Sequence, residues 1–588
     1  MDWAILRRAI GAFARYKWPS LGIAVLLVAT ALFGTLPPLL TKSILNRGLL
    51  GQDFPLIIHL TEAVLGIAIL TGLLGVLQNY LSNLVGQWVM ADFRDRLFAH
   101  LHRQSLRFFI EARSGELVSR IINDVGAIQT VATSTLVGMV SNVLTISTTL
   151  VVMFVLNWHL TLLSLIVVPA FVFPTQHVGT IRQDLQRDIQ QQMGKMTAQL
   201  TETLGVSGSL AVKAFAQEDY EIGRFRDVNV TIRNLQVRQS LVGRWFFMWV
   251  GLFSSVGPAL LWGYGGWLYI HHEISVGTIV AFVAYLGRLY GPLSSLAQLH
   301  VNVLTSVALF RRIFGVLDQA PEIQDGPTVV LPRDVHGAVR FEGVSFTYGG
   351  AEHALRDVNV RIPAGAVTAL VGPSGAGKTT LMNLVARFYD PTAGSVLLDD
   401  RDLRTLTQRS LRTQLGIVPQ EPFLFNDTVL SNLRYARPGA TLSEVRAACA
   451  AAQIDDFLQS LPEGYDTVVG ERGYRLSGGE KQRMAIARVL LRAPRVVLLD
   501  EATSSLDSLA ERKVQQALEQ LLAGRTALVI AHRLSTILAA NQILVLDHGQ
   551  VVASGRHAEL LDRGGLYARL YQEQFGAAIQ PPEEEPGV

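Results

Sequence analysis

Long apolar runs and mixed-charge stretches alternate through the first half of the chain, and that rhythm stops in the second half. A helix needs roughly 20 mostly apolar residues to cross the hydrocarbon core of a bilayer. Six runs qualify: about Pro19–Leu40, Pro55–Leu84, Val131–Leu156, Leu160 to about Val178, Leu241–Ile270 and Val276–Leu299. Several exceed the minimum, which a helix accommodates by tilting or by continuing past the bilayer. Two connections are long and helix-compatible, with breaks near their middles: FFIEARSGELVSRIINDV over Phe108–Val125 and AVKAFAQEDYEIGRF over Ala211–Phe225. The opposite ones are short, such as Asn157-Trp158-His159 and His271-His272-Glu273. Further on, Pro321–Pro332 (PEIQDGPTVVLP) has no helical period and reads as a linker. Val339–Phe346 roughly alternates like a half-buried strand, and Val367–Val371 and Val496–Leu499 are short continuous runs of buried-strand type. The pattern predicts an all-α polytopic membrane domain over 19–315, a linker over 316–335 and a soluble α/β domain over 336–575.

Composition and charge sharpen this division. Apolar residues make up 49% of the 588 residues and charged residues 17%, against about a quarter charged in an ordinary soluble domain; the mean hydropathy is +0.30. The net charge of +3 is too small to argue for nucleic acid. One cysteine, Cys449, excludes an internal disulfide and suits a reducing compartment; its Ala-rich surroundings give it the part of a small buried apolar residue. Basic residues gather before the first run (Arg7, Arg8, Arg15, Lys17), in the two long connections (Arg94, Arg96, Arg103, Arg107, Arg113, Arg120; Arg182, Arg187, Lys195, Lys213, Arg224, Arg226) and after the sixth run (Arg311, Arg312). The positive-inside rule then places the N-terminus, both long connections and the soluble half on the cytoplasmic side of the inner (plasma) membrane. Over 1–18, Trp3, Ile5, Leu6, Ile10 and Phe13 interleave with arginines, as in an amphipathic helix lying at the interface. No small-residue cleavage site comes after it, so this stretch is not expected to be a removable signal. The stretch 576–588, with Glu583-Glu584-Glu585 among prolines, is expected to be a disordered acidic tail.

Chemistry concentrates in the soluble half. Gly372-Pro373-Ser374-Gly375-Ala376-Gly377-Lys378-Thr379 comes directly after the buried-strand run, and Thr380 opens a helix-compatible stretch. Strand, glycine loop and helix is the context a phosphate-binding loop requires. Glycines let backbone N–H groups converge on phosphates, and the helix N-terminus adds partial positive charge. Lys378 can reach the β- and γ-phosphates of a nucleotide, and the Thr379 hydroxyl can ligate Mg²⁺. The second run ends in two carboxylates: Asp500 can hold Mg²⁺ through water, and Glu501 can act as general base toward an attacking water.

With these motifs in view, the chain resembles an ATP-binding cassette exporter of the half-transporter type, bacterial multidrug or lipid class, and the resemblance covers nearly the whole length. Leu476-Ser477-Gly478-Gly479-Glu480 resembles the family signature, Gln420 the glutamine that senses Mg²⁺ and the γ-phosphate, and Ser505-Leu506-Asp507 the D-loop. His532 resembles the switch histidine, Tyr348 the aromatic residue that stacks on adenine, and Gly470-Glu471-Arg472-Gly473 the stretch that precedes the signature in exporters. Two departures stand out: Asp399-Asp400 where an Asp-Gly turn is usual, and Glu480 in place of Gln. The resemblance implies an α/β nucleotide-binding domain with a helical subdomain, ATP and Mg²⁺ as cofactors, and hydrolysis coupled to transport. It further implies a signature that caps the nucleotide of a partner chain. Because Glu501, His532 and the signature glycines are all present, a homodimer is the economical arrangement, with a related half-transporter as the other possible partner. Short coupling regions that dock on nucleotide-binding domains are expected around Ala112–Ser119 and Phe215–Tyr220.

The cargo is the least legible feature. Charges inside spans are costly, so Glu62 in the second and Arg288 in the sixth are candidates for substrate contact; an internal partner or a snorkelling side chain explains Arg288 equally well. Trp245-Phe246-Phe247-Met248-Trp249 fits a hydrophobic site but fits helix packing better. Scarce polar groups in the spans favour a hydrophobic or amphipathic compound, a drug or lipid, moved out of the cytoplasm or inner leaflet. The alternatives are an exporter-shaped importer of a siderophore or similar molecule, or a peptide exporter; six spans exclude a soluble motor.

Overall fold

The computed structural model of the chain describes residues 3–112, 114–330, 334–350, 353–470, 476–500, 508–531 and 533–575. It divides into two compact units: Met1–His102 with Arg113–Gln319, and Arg103–Ala112 with Ala320–Val588.

The first unit is helical. It comprises α1 (Trp3–Phe13), α2 (Lys17–Phe33), α3 (Leu36–Ser43) and α4 (Phe54–Leu101), and later α6 (Val137–Leu156), α7 (Trp158–Leu204), α8 (Glu218–Ile270) and α9 (Val276–Leu317). The short helix α5 (Leu106–Glu111), between α4 and α6, belongs to the second unit. Four helices run for 48, 47, 53 and 42 residues. At 1.5 Å per residue, lengths of about 60–80 Å are twice the hydrocarbon thickness or more, so these helices continue far beyond any apolar run. Among the described residues, four stretches are long and apolar enough to cross a membrane: Arg7–Leu49, Phe54–Leu101, Val137–Leu156 and Val276–Leu296. Helices also cover the fourth and fifth apolar runs, as parts of α7 and α8. Phe282, Tyr285, Leu286 and Leu289 of α9 form a buried core with Met153, Leu160, Leu261 and Leu268 of α6, α7 and α8.

The first apolar run is broken where α2 gives way to α3. Pro37 and Pro38 supply no N–H for the Phe33 and Gly34 carbonyls, and the Thr35 N–H bonds the Leu32 carbonyl at 2.9 Å instead of reaching back a full turn to Ala31. Side chains of α9 meet this break: the Tyr285 hydroxyl donates to the Thr35 carbonyl at 2.6 Å, and Arg288 Nη2 donates to the Ala31 carbonyl at 3.0 Å. Gly34 leaves the seat for the guanidinium, since a Cβ there would overlap it. At the start of α9, the Asn46 amide donates to Ser275 Oγ at 2.7 Å and accepts from the Gly277 N–H at 3.0 Å. Past its end, Asp318 takes a two-pronged bond from Arg8 of α1 at 2.6 and 2.7 Å, which holds its carboxyl below the usual range.

The second unit is α/β. One sheet is antiparallel, in the order β2 (Leu355–Ile362), β1 (Val339–Phe346), β4 (Ala393–Leu398), β5 (Arg401–Asp402). The other has the order β10-β9-β3-β8-β7-β6, with β3 (Val367–Val371), β6 (Leu415–Val418), β7 (Val496–Asp500), β8 (Thr526–Ile530), β9 (Gln542–Asp547) and β10 (Gln550–Gly555). All its pairings are parallel except β9 with β10. Between β6 and β7 the chain forms a helical layer, Val429–Arg434, Leu442–Ala451, Asp455–Ser460 and the longer Gly478–Arg492, with its own buried core. Cys449 is a free, buried cysteine of that core, its thiol pushed up to about 12 by burial.

The stretch read as a linker is partly ordered. The α9 helix runs into it as far as Leu317, and 323–328 is stitched along the second unit. Arg387, itself buried, donates to the Gln324 carbonyl at 2.8 Å, Gln408 N to Asp325 at 2.7 Å, and Thr328 N to the Thr405 carbonyl at 2.9 Å. In the Asp399-Asp400 turn the Asp399 carboxylate accepts the N–H groups of His336, Gly337 and Ala338 at 2.8–3.1 Å, and Asp400, where glycine is usual, takes a φ of +63° and pairs with Arg340 at 2.9 Å.

Candidate nucleotide site

β3 sits between β8 and β9, so the loop after it emerges at the carboxyl edge of a parallel sheet, where phosphate ligands collect. Gly375 and Gly377 adopt φ of +79° and +100°, left-handed conformations that L side chains rarely take. At Gly377 a Cβ would also approach the Ala354 carbonyl to 2.7 Å. The helix that begins at Lys378, Lys378–Val385, points its N-terminus at the loop. Lys378 is largely buried, and its Nζ donates to the Gly372 and Pro373 carbonyls at 2.7 and 2.8 Å, arched over the loop it serves.

A cavity of about 600 Å³ opens here, lined by Tyr348, Gly372–Thr380, Gln420 and Asp500, and also by Ala354, Ile530 and Leu570. That volume is typical of a site for a cofactor-sized ligand. Gln420 and Asp500 converge because β6 and β7 are adjacent and in register, Val418 opposite Leu499. Tyr348 is half exposed, with its hydroxyl 3.1 Å from Thr380 Oγ1. The Thr379 hydroxyl, Gln420 amide and Asp500 carboxylate form an oxygen-rich donor set beside the phosphate loop, which fits a hard cation such as Mg²⁺.

The signature residues do not line this cavity. Ser477 caps the helix Gly478–Arg492 through a reciprocal box, its N–H donating to Glu480 at 2.7 Å and its Oγ accepting from the Glu480 N–H at 3.4 Å. A carboxylate suits that role as well as an amide, which accounts for Glu480. Leu476 and Gly479 are buried, whereas Ser477 and Gly478 present the positive end of the helix at the surface. Glu501, Ser505, Leu506, Asp507, His532 and the 471–473 part of the pre-signature stretch lie outside the described residues; β7 ends at Asp500, one residue before Glu501.

Other residues carry no motif. Ala354, Ile530 and Leu570 enter the cavity by tertiary packing alone. Arg488 pins the stretch after Gln420 to the signature helix, donating to the Phe423 and Asn432 carbonyls at 2.6 and 2.7 Å and to Asn432 Oδ1 at 2.6 Å. Near the first expected coupling region, around 112–119, residues from 114 onward group with the helical unit, and the segment that groups with the nucleotide-binding unit is Arg103–Ala112. Its Arg107 and Ser105 both bind Glu322, at 3.1 and 3.0 Å.

The cargo candidates separate. Glu62 lies on an exposed face of α4. Trp245 and Met248 are exposed on α8, and the side chains of Phe246, Phe247 and Trp249 are outside the description. Arg288 is engaged with the broken α2–α3 backbone. A bond from a charged donor to a backbone carbonyl contributes about 1.5–3 kcal/mol. Arg288→Met is therefore expected to lower the melting temperature of the lipid-reconstituted protein by at least about 3 °C without any added compound. An unchanged melting temperature would mean that the contact with Ala31 carries no weight.

A parallel sheet with a phosphate loop at its carboxyl edge, a helical layer carrying a separate capped helix, and a many-helix apolar unit together define an ATPase built into a multi-pass membrane protein. The sequence profile of the ABC transporter transmembrane region matches residues 21–293, and a second profile, described as ABC transporter, matches 355–504. An "ATP-dependent lipid A-core flippase" of Syntrophus aciditrophicus (strain SB) is 39% identical over 565 residues, 96% of this chain and 93% of the relative. The "Uncharacterized ABC transporter ATP-binding protein YknV" of Bacillus subtilis (strain 168) is 35% identical over 584 residues, 98% of this chain and 96% of the relative. Among solved structures, a bacterial Atm1-family ABC exporter with ATP bound superposes with a TM-score of 0.81 at 32% identity, covering 96% of this chain and all of the other. The chain belongs to the ATP-binding cassette exporters, as a half-transporter whose ATP hydrolysis drives transport.

Proposed function

We propose that two copies of this chain form an exporter that moves a hydrophobic or amphipathic compound, a lipid or drug, out of the cytoplasm or inner leaflet. One observation carries the dimer: the loop side of a nucleotide site is assembled in each chain, while Ser477 and Gly478 face outward and do not line it. A second copy related by two-fold symmetry brings each signature to the other chain's loop and creates two equivalent sites. Exposed aromatic side chains fit the same assembly. Phe215 and Tyr220 flank the turn of the second long connection, and Phe423, Phe425 and Tyr435 stand out from the nucleotide-binding unit. We assign the first pair to docking on the partner's nucleotide-binding unit. The lipid reading also draws on the flippase relative.

In this reading Tyr348 stacks on adenine, Gly372–Thr380 holds the phosphates, and the partner's signature helix places its N-terminus against them. Thr379 and Gln420 would hold Mg²⁺, with Asp500 acting through water; the ion would neutralise phosphate charge. Glu501 takes a proton from the attacking water, His532 orients the γ-phosphate, and the resemblance gives Ser505-Leu506-Asp507 the part of the D-loop. ATP is a ligand that prefers the closed pair, so binding shifts the spans outward-open and hydrolysis resets them. Six spans, with the N-terminus and ATPase in the cytoplasm at the inner membrane, complete the arrangement.

ATPase activity of the protein in lipid nanodiscs, measured with lipids, cationic drugs and peptides side by side, tests the cargo. We expect amphipathic lipids or drugs to stimulate turnover by about twofold or more through preference for one of the two states. Stimulation by peptides alone would overturn the cargo class. ATP-dependent accumulation in inverted vesicles, absent from right-side-out ones, is the expected sign of export; the reverse would establish an importer.

A further inference from the structure

Arg107 touches the nucleotide site from behind. Its guanidinium lies 5.9 Å from the centre of the Tyr389 ring, and its Nη2 is 3.5 Å from the Thr347 carbonyl, the residue before Tyr348. Glu322 fixes it from the other side at 3.1 Å. Tyr389 is 3% exposed and meets Tyr348 edge-to-face, with centroids 5.2 Å apart and planes at 86°. Phe346 packs on both, at 4.8 and 5.4 Å. On its far side the Tyr348 hydroxyl reaches Thr380, in the first turn of the phosphate-loop helix. An uninterrupted line of contacts therefore runs from Thr380 through Tyr348 and Tyr389 to Arg107, all within one compact unit.

We propose that Tyr389 and Arg107 are positioning residues that report occupancy of the adenine subsite to the Arg103–Ala112 segment, so that this segment senses the base of the nucleotide as well as its phosphates. The inference rests on the reading of Tyr348 as the adenine-stacking residue. Three observations carry it. Tyr348 is half exposed and lines the cavity where a base would lie, whereas Tyr389 is enclosed. Enclosed rings in a close-packed interior shift as a unit with their neighbours and do not absorb a displacement locally. Arg107 contacts both the ring behind Tyr348 and the backbone beside it, so a movement of either is felt at the same guanidinium. Arg107 also prefers the face of an electron-rich ring, which ties its position to the orientation of Tyr389.

The test uses the full chain in nanodiscs with Ile110→Cys carrying an environment-sensitive fluorophore. Ile110 is 68% exposed on the Arg103–Ala112 segment, and the natural cysteine is buried, so labelling is confined to the new site. Equilibrium affinity for ATP without Mg²⁺ is measured in parallel. Arg107→Gln and Tyr389→Leu are expected to leave that affinity within about threefold of the parent and to cut the ATP-induced fluorescence change at least about threefold. Tyr389→Phe keeps the ring and is expected to restore the response. Saturating inorganic tripolyphosphate, which has no base, should give the parent less than about a third of the ATP response. A full ATP response in both Arg107→Gln and Tyr389→Leu, an equal loss in Tyr389→Phe, or an equal response to tripolyphosphate would overturn the proposal. The premise is checked separately: Tyr348→Leu should weaken ATP binding by about tenfold through lost stacking. Unchanged affinity there would remove the adenine reading itself, whatever the label reports.

Discussion

A chain carrying Glu501→Gln is expected to bind ATP as well as the parent, to hold its paired sites closed, and to hydrolyse at less than about a hundredth of the parent rate. The reasoning begins with the sheet. β7 delivers Asp500 into the nucleotide cavity, and Glu501 is the next residue along the chain. Glutamine keeps the size and one hydrogen-bond-accepting oxygen but cannot take a proton from water. General-base assistance contributes about 10²–10⁴ in rate, or about 3–5 kcal/mol of barrier. The substitution leaves the sequence of the phosphate loop unchanged, so binding should survive. Because ATP is then not consumed, the closed pair accumulates and the population shift that hydrolysis normally reverses becomes permanent. ATPase rate, ATP affinity and a distance measurement between the two nucleotide-binding units read these outcomes independently. Near-parent turnover would show that the base lies elsewhere; lost binding would show that Glu501 instead holds the nucleotide.

What the sequence makes legible is the chemistry that a backbone must be shaped to perform. Gly375 and Gly377 announce their left-handed conformations as glycines, and the buried run Val367–Val371 announces the strand that presents them. Ser477 and Glu480 are three residues apart because a capped helix needs them there, and the same spacing explains the exchange of Gln for Glu. The segment that groups with the nucleotide-binding unit, Arg103–Ala112, meets the expected coupling region only at Ala112, and helix-compatible mixed charge over 108–125 looks alike throughout. Only the partners of Ser105 and Arg107 set 103–112 apart from the neighbouring residues, and Glu322 lies more than two hundred residues away in the chain. Arg288 is ambiguous in sequence for a similar reason. Its attachment depends on Gly34 and the Ala31 carbonyl far upstream, a packing relation that no hydropathy pattern contains. Tyr389 and Leu570 carry no motif at all and acquire their places only when the sheets form.

The second large effect arises from the separation of loop and signature. Lys378→Ala removes the cation that spans the β- and γ-phosphates, and Gly478→Asp sets a carboxylate at the helix N-terminus that must face the same phosphates. Each variant alone should hydrolyse ATP at less than about a fiftieth of the parent rate, since both sites of a pair built from one variant either lack the phosphate-binding cation or carry an anion set against the phosphates. Heterodimers purified through different tags on the two chains behave differently in a composite site. The Gly478→Asp chain still offers an intact loop and the Lys378→Ala chain an intact signature, and these two meet at one of the two sites. The other site collects both defects. Under two-fold symmetry the heterodimer should recover about half the parent rate if the sites act independently, and trap one nucleotide with vanadate. If each chain instead closed its own signature over its own loop, every site in the mixture would carry one defect, and neither turnover nor trapping would return. Trapping without turnover would mean that the composite site forms but must alternate with a competent twin. The experiment thus separates where the site is built from how its two copies cooperate. The first answer is set by an exposed helix N-terminus that does not line its own chain's nucleotide cavity, and the second by how far two ATP-driven closures share one set of spans.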